Sequence, residues 1–280
     1  MKVYPFHITK QPEQNLLLQH DKGIAFYDKL HQHEEIQLSF VVKGNGTLIV
    51  GNSVHTYQAE DIIGIGGQLP HVFKSSVSAG ESEMISMFFT RDAFGGSFFE
   101  QREMKIIYPL FSLLSYGFKL PTGQTPLRAM FLKLNDTDTF SFFIQFLEIL
   151  RAISQEKKQQ LNTLANNQQL TYKQGDRLQL AIDFVLQHYH EDIELKKVAN
   201  RMHMSVSAFC RFFKQRTNKT FFQFVNEVRV AQACQYMARH PELSVSEVAI
   251  KSGYQSISNF NKYFLKHKGI PPTGFKKKFL

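Results

Sequence analysis

The sequence predicts an α+β chain of two domains, a strand-rich N-terminal part with following helices and an all-α C-terminal part. Three observations predict it. Residues 20–90 are dense in short β-rich runs separated by Gly and Asn turns. After Arg91 the apolar residues recur at helical spacing. Beyond Asp176 a pair of short helices occurs twice. The domains that follow are 1–154 and 176–280, with a Gln- and Asn-rich linker at 155–175 whose start could continue the preceding helix.

Glu35–Lys43 (EIQLSFVVK) is rich in β-branched and aromatic residues. Gly44-Asn45-Gly46 supplies a turn, and Thr47–Val50 reads as the return strand. Gly51-Asn52 is a second turn, and Asp61–Ile65 and Glu83–Phe89 are further strands. Strands spaced this closely make a small barrel or a sandwich. Met104, Ile107, Tyr108, Phe111 and Leu114 then fall on one helical face, as do Phe140, Phe143, Ile144, Leu147 and Leu150, with a breaker-rich loop from Pro121 to Pro126 between them. The second stripe suits either cover for the core or a dimer interface. The 27 phenylalanines beside no tryptophan are an unusual bias without a sequence-level reason.

Charge separates the halves. Residues 176–280 hold 17 Lys and Arg against 8 Asp and Glu, whereas 1–175 hold 16 of each, so the whole excess of +9 sits in the C-terminal part. A basic domain beside a neutral one suits a polyanionic partner, although surplus lysine also serves solubility. Cys210 and Cys234 lack metal-ligand spacing and suit free thiols in a reducing compartment. The N-terminus shows no apolar signal segment and no apolar run approaches a membrane span, which predicts a cytoplasmic protein without a membrane partner.

The repeat carries the chemistry. Leu195, Val198, Ala199 and Met202 form one face of a short helix. Ser205 is a candidate N-cap, and Phe209, Phe212 and Phe213 mark a second apolar face. About fifty residues on, Val245, Val248 and Ala249 repeat the first face behind a Ser244/Glu247 capping box. Gly253-Tyr254 is the turn, Ser256 the candidate N-cap, and Phe260, Tyr263 and Phe264 the second face. The first helices repeat at an offset of 50 and the second at 51, with Asn218 and Gly269 as matched helix ends. Two short helices joined by a tight turn form a helix-turn-helix unit. Between the units, Phe221–His240 reads as one helix of ~18 residues and ~27 Å. That length suits two recognition helices in successive major grooves, ~34 Å apart.

These residues resemble the AraC/XylS family of bacterial regulators. The likeness rests on Glu194–Ala199 with Ser205–Phe213, on Val228–Ala233, and on Val245–Ala249 with Gly253–Phe264 and Pro271–Lys276. It spans roughly residues 177–279 and departs at Asn218, where the family usually has Gly. The resemblance implies that Ser207, Cys210 and Arg211 in the first unit, and Ser258, Asn259 and Lys262 in the second, face double-stranded promoter DNA. Arg suits guanine, Asn suits adenine, and Lys reads guanine or only a phosphate. The bland alternative for all six is solvated surface.

The strand region resembles a cupin through His31-Gln32-His33, Gln37, Gly44, Asp61 and Leu69-Pro70-His71. The resemblance implies a ligand pocket in which His31, His33, Gln37 and His71 bind a small-molecule effector. Metal cupins use two His of such a pair, a Glu and a third His. Here the Glu position falls on Gln37, a weak neutral ligand, with Glu35 on the opposite face, so neither a metal nor another cofactor is expected. The family likeness also implies a homodimer through the post-barrel helices and RNA polymerase as a further partner. The leading expectation is therefore an effector-responsive transcription regulator without catalytic residues. The alternatives are a cupin-type metal-dependent enzyme and an effector-independent DNA-binding protein.

Overall fold

The computed structural model describes residues 8, 14–76, 80–120, 125–136, 138–162 and 172–277. The chain divides into two compact units, residues 1–51 with 57–171, and residues 172–280 with 52–56. No helix among the described residues is long and apolar enough to cross a membrane.

The first unit is sheet-rich. The strands are β1 (Leu16–Gly23), β2 (Ile36–Lys43), β3 (Asn45–Val50), β4 (Ser53–Gln58, divided between the units at residue 56), β5 (Ile62–Ile65), β6 (His71–Ser75), β7 (Ser82–Phe89), β8 (Phe118–Leu120) and β9 (Gln159–Gln160). They form two sheets, β1-β7-β2-β5-β8-β9 and β4-β3-β6, and do not close into one barrel. The Gly44-Asn45-Gly46 hairpin expected between β2 and β3 is not formed. β2 pairs with β5 and β7, and β3 pairs with β6. Gly44 (φ +95°) is instead a corner between sheets, where a Cβ would lie 2.8 Å from Ser82 Oγ. A register shift at Val41/Lys43 accompanies it.

Alternation sends the two faces of the large sheet to different cores. Leu38, Phe40, Ile62, Ile85, Met87 and Phe89 pack beneath α1 (Tyr108–Leu114), α2 (Thr125–Leu132) and α3 (Thr139–Gln155). Val41, Ile63, Ile65 and Met84 pack against Leu48, Val50 and Phe73 of the small sheet. The phenylalanine bias fills the helix-covered side, with ring centroids 4.7–4.8 Å apart for Phe89–Phe146, Phe94–Phe143 and Phe99–Phe111. The buried face of α3 is Phe142, Phe146, Ile149, Leu150 and Ile153. The expected stripe was drawn about half a face away. Phe140 is 72% exposed and Ile144 41%. Part of the expected breaker loop, 121–124, lies outside the described residues, and Pro126 is already in α2.

From Tyr172 onward the second unit is helical: α4 (Tyr172–His188), α5 (Leu195–Arg201), α6 (Val206–Thr217), α7 (Phe221–Arg239), α8 (Val245–Lys251), α9 (Ile257–Lys268) and α10 (Pro272–Lys276). Of the expected linker, 163–171 lies outside the described residues, and α4 begins before its end. The 19-residue α7 buries nine side chains and runs ~28 Å. It opens on a capping box from Thr220 and Gln223 that sequence reading passed over.

Candidate functional site

The recognition-helix face is built by two similar turns. In the first, Ser205 Oγ accepts from Ala208 N at 3.3 Å and starts α6. Phe209 and Phe213, both 0% exposed, anchor that helix against Phe221 and Phe224 of α7. Asn218 ends it in the left-handed region (φ 52°). In the second, the Ser244/Glu247 box starts α8, and Gly269 (φ 70°) ends α9. Ser256 occupies the N-cap position of α9 but its side chain makes no capping hydrogen bond, so that expectation holds for position and not for chemistry. Left-handed residues close both turns, Gly253 (φ 86°) in the second and His203 (φ 53°), unremarked in the sequence, in the first.

Arg229 of α7 fixes the second unit. Its Nε donates to Tyr189 O at 2.7 Å, its Nη2 donates to Glu191 O at 2.8 Å, and its guanidinium lies 5.6 Å from the Tyr254 ring centre. Tyr254 in turn meets Phe260 at 5.2 Å, the centre of a core with Val230, Met237, Val248 and Phe264.

With α6 and α9 packed inward on Phe209/Phe213 and Phe260/Phe264, the opposite sides remain outside. Ser207, Arg211, Ser258, Asn259 and Lys262 are exposed, and Cys210, a free thiol, is half-buried. Both helices have 12 residues and start 51 apart, so Cys210 is matched by Asn261 and Asn259 by Ala208. The expected pairing of Asn259 with Cys210 was two residues out. Asn259 lines a groove of about 550 Å³ with Glu191, Asp192, Arg229 and Tyr263. A further matched pair was missed: Val206 and Ile257, the first residues of the two helices, are 38% and 45% exposed. The offset of 51 carried that signal. An exposed aliphatic side chain at a recognition-helix N-terminus suits a thymine methyl.

In the first unit, alternation also places a polar row on the inner face of the large sheet: Gln37 and Ser39 on β2, Ser86 opposite Ser39 on β7, and Gln19 and Asp21 on β1. Gln37 Nε2 donates to Ser39 Oγ at 2.8 Å, and the Ser39 and Ser86 hydroxyls are 2.7 Å apart. His31, His33 and His71 complete the cluster. Paired backbone bonds between His31 and His71 hold two of them, with His31 N donating at 3.1 Å and His71 N at 2.9 Å. All three rings are buried, with centroids 4.3–5.9 Å apart. Gln37 Oε1 lies 3.3 Å from His33 Nε2 and 3.1 Å from His71 Nε2. A ring nitrogen of each histidine lies within 4.8 Å of one from each of the others, so with Gln37 these residues could hold a metal ion.

Burial, helped by neighbouring His33, lowers the His31 pKa to about 4, and burial followed by its two neighbours pushes His71 well below the usual imidazole range. The His31 and His71 rings are neutral at pH 7. Asp21, which sequence reading did not single out, lines the same small cavity. Burial raises its pKa against the 2.7 Å hydrogen bond from Gln19. The Glu35 carboxylate lies 3.7 Å from His33 Nδ1, the ring's outer nitrogen. Asp61 pairs with Lys119 at 2.8 Å and serves the fold.

The helix-turn-helix domain family matches residues 198–278. An uncharacterised HTH-type transcriptional regulator of Bacillus subtilis is 32% identical over 121 residues, and this match spans 41% of each chain, about two-fifths of the relative's length. An uncharacterised HTH-type transcriptional regulator of Escherichia coli is 24% identical over 258 residues, 89% of this chain and 81% of its own. The HTH-type transcriptional activator RhaR of Mannheimia succiniciproducens is 22% identical over 262 residues, 90% and 88% of the two chains. With its two capped and duplicated helix pairs joined by α7, the chain carries a helix-turn-helix domain over residues 198–278 and is similar to HTH-type transcription regulators and activators.

Proposed function

We propose that the first unit is a cupin-like sensor, that a small ligand binds at His31, His33, Gln37 and His71, and that its binding changes how α6 and α9 engage promoter DNA. The observation that carries the DNA half is the duplication: equal helices present Arg211 and Lys262 outward at the same position of each. The observation that carries the sensor half is the buried polar cluster beside a cavity in an otherwise apolar sheet. A ligand shifts regulation only through unequal affinity for two states of the protein. Ser207, Cys210, Arg211, Ser258, Lys262 and, by its matched position, Asn261 are the base-facing candidates, with Asn259 at the edge of the groove. The outward Phe140 and Ile144 of α3 suit a homodimer, and promoter binding brings RNA polymerase within reach as a partner.

The test is binding of the purified protein to genomic DNA fragments at near-physiological salt, followed by sequencing of what is retained. Discrete promoter-proximal sites with two contacts about one helical turn apart support the reading. Diffuse retention that vanishes with modest salt is counterion-driven affinity alone and overturns it.

A further inference from the structure

α7 carries two faces, one for each helix-turn-helix unit. Phe221 and Phe224 meet Phe209 and Phe213 of α6. Val230, Cys234 and Met237 share a core with Phe260 and Phe264 of α9. Spacings of three and four continue this second face from Met237 through Cys234 and Val230 to Glu227. On α9 the same spacing runs from Phe260 through Phe264 to His267. The two apolar rows end together on polar residues, and His267 Nδ1 lies 3.9 Å from Glu227 Oε1.

The first helix-turn-helix unit reaches the same carboxylate. Lys219 follows Asn218, the left-handed end of α6. Thr217 ties it to that helix: its hydroxyl donates to Phe213 O at 2.7 Å and accepts from Lys219 N at 3.3 Å. Lys219 Nζ lies 2.6 Å from Glu227 Oε1 and donates to Oε2 at 2.8 Å. The Glu227 side chain is 12% exposed and that of Lys219 19%, so solvent screens this pair far less than a surface pair. Burial raises the Glu227 pKa, and Lys219 opposes it. Lys266 also lies within electrostatic reach of Glu227. Burial, then Lys266, Lys219 and Lys268, lowers the His267 pKa to about 4, so that ring is neutral at pH 7. Lysines of both helix-turn-helix units therefore converge on one carboxylate.

Stability gives no reason for an acid at 227. The row it continues is apolar, and replacing a buried pair by apolar residues is often neutral or stabilising. The duplication gives none either. At the offset of 51, Lys219 is matched by Ile270, so the pair is not a copied part of the unit. What the pair adds is a fixed geometry, because both carboxylate oxygens are held by one ammonium group anchored at the end of α6.

We propose that Glu227 is a positioning residue: its carboxylate draws Lys219 of the first helix-turn-helix unit and the basic end of α9 in the second around one point, fixes α6 relative to α9, and so sets the spacing at which the protein reads DNA. The last clause rests on the reading that both helices contact DNA. Without the carboxylate, Lys219 faces Lys266 and Lys268 across His267, and like charges drive the two helices apart at that end.

The experiment places nitroxide labels on the full-length protein at Ser207→Cys and Ser258→Cys, with Cys210→Ser. Cys234 is buried and stays in place. Pulsed electron resonance, with labelled protein diluted in unlabelled, measures the distance between α6 and α9, and thermal melting shows that each variant is folded. The expected result is one narrow distance, preserved by Lys219→Arg and broadened by Glu227→Gln and by Lys219→Met. A lowered melting temperature with an unchanged distance in both is a structural role only and overturns the proposal. Lys219→Met carries the test where Glu227→Gln does not fold. DNA then reads the consequence. Duplexes that the native protein selects from a random library are lengthened by one base pair between the two contacts. The native protein should lose about tenfold or more in affinity, and Glu227→Gln roughly threefold or less. Equal losses overturn Glu227 as the determinant of spacing. Broadened distances with no duplex selected overturn the DNA reading and sustain the positioning role.

Discussion

Gly253→Ala should unfold the second helix-turn-helix unit locally and abolish DNA binding. Gly253 sits at φ 86°, and a Cβ there would lie 2.2 Å from Tyr189 O, 2.9 Å from His190 Cα and 3.0 Å from Arg229 Nε. The left-handed backbone costs an alanine ~1–2 kcal/mol. The contacts fall about an ångström short, so the Tyr189 backbone must move. That motion strains or breaks the hydrogen bond from Arg229, and one to a charged donor is worth ~1.5–3 kcal/mol. Reduced freedom of the unfolded alanine chain returns ~0.4–1 kcal/mol. The net loss is about 3 kcal/mol. His203, at φ 53° in the equivalent turn, supplies the control. His203→Gly relieves the left-handed cost but adds the entropy of glycine, for a gain of up to ~1 kcal/mol. Urea unfolding followed by circular dichroism gives the magnitude, and hydrogen exchange of α7–α9 peptides gives the place. A Gly253→Ala loss under ~1 kcal/mol, or a His203→Gly loss larger than that, would refute the reasoning.

Arg211→Ala should weaken binding to a retained promoter site by ~1–3 kcal/mol and relax one base position; an equal loss on scrambled DNA would make it a phosphate contact. Ile257→Ser should leave stability unchanged and lower affinity only for sites with thymine at one position, as read by competition between selected oligonucleotides; a uniform loss would place Ile257 outside base reading. Lys119→Met leaves the fully buried Asp61 carboxylate unpaired and should cost ~3–5 kcal/mol near neutral pH. Burial already raises the Asp61 pKa against Lys119, and losing Lys119 raises it further. The variant's deficit should therefore shrink as pH falls through that folded pKa, and a deficit independent of pH in urea unfolding would contradict the buried charge.

The C-terminal half was legible because its signals are local. Caps, left-handed helix ends and helical faces each lie within a few residues, and the duplication let each unit check the other. The same check, applied strictly, would have moved Asn259 to Asn261 and found Val206 with Ile257. The N-terminal half depends on pairing between distant strands. Gly44-Asn45-Gly46 does mark a change of direction, but whether it closes a hairpin or crosses between sheets depends on β5, β6 and β7, which no local window contains. β1 (LLLQHDKG) is mostly half-exposed beside β7 and has little apolar alternation, so Asp21 stayed hidden with it. α3 is apolar nearly all round, and periodicity alone could not choose Phe142 and Phe146 over Phe140 and Ile144.

The two faces of the large sheet pose the functional question in energetic form. The helix-covered face of β2 and β7 carries Leu38, Phe40, Ile85, Met87 and Phe89, and burying apolar surface stabilises at ~25 cal/mol per Å². The opposite face of the same strands carries Gln37, Ser39 and Ser86, all buried. Three buried histidines join them there. Polar groups so placed return at best a small net gain when every hydrogen bond is made, and a neutral apolar replacement of similar shape stabilises as well or better. Stability therefore gives no reason for six polar side chains at one point between two sheets. A ligand does, because polar groups that add little to folding can exchange their hydrogen bonds for contacts to it. The cluster's acceptor-rich character sets the sign of that ligand. Rings whose Nδ1 atoms face backbone carbonyls turn Nε2 to the cluster, and Gln37 offers either end of an amide. Such a point attracts a cation or a hydrogen-bond donor and discriminates against an anion approaching the imidazoles directly.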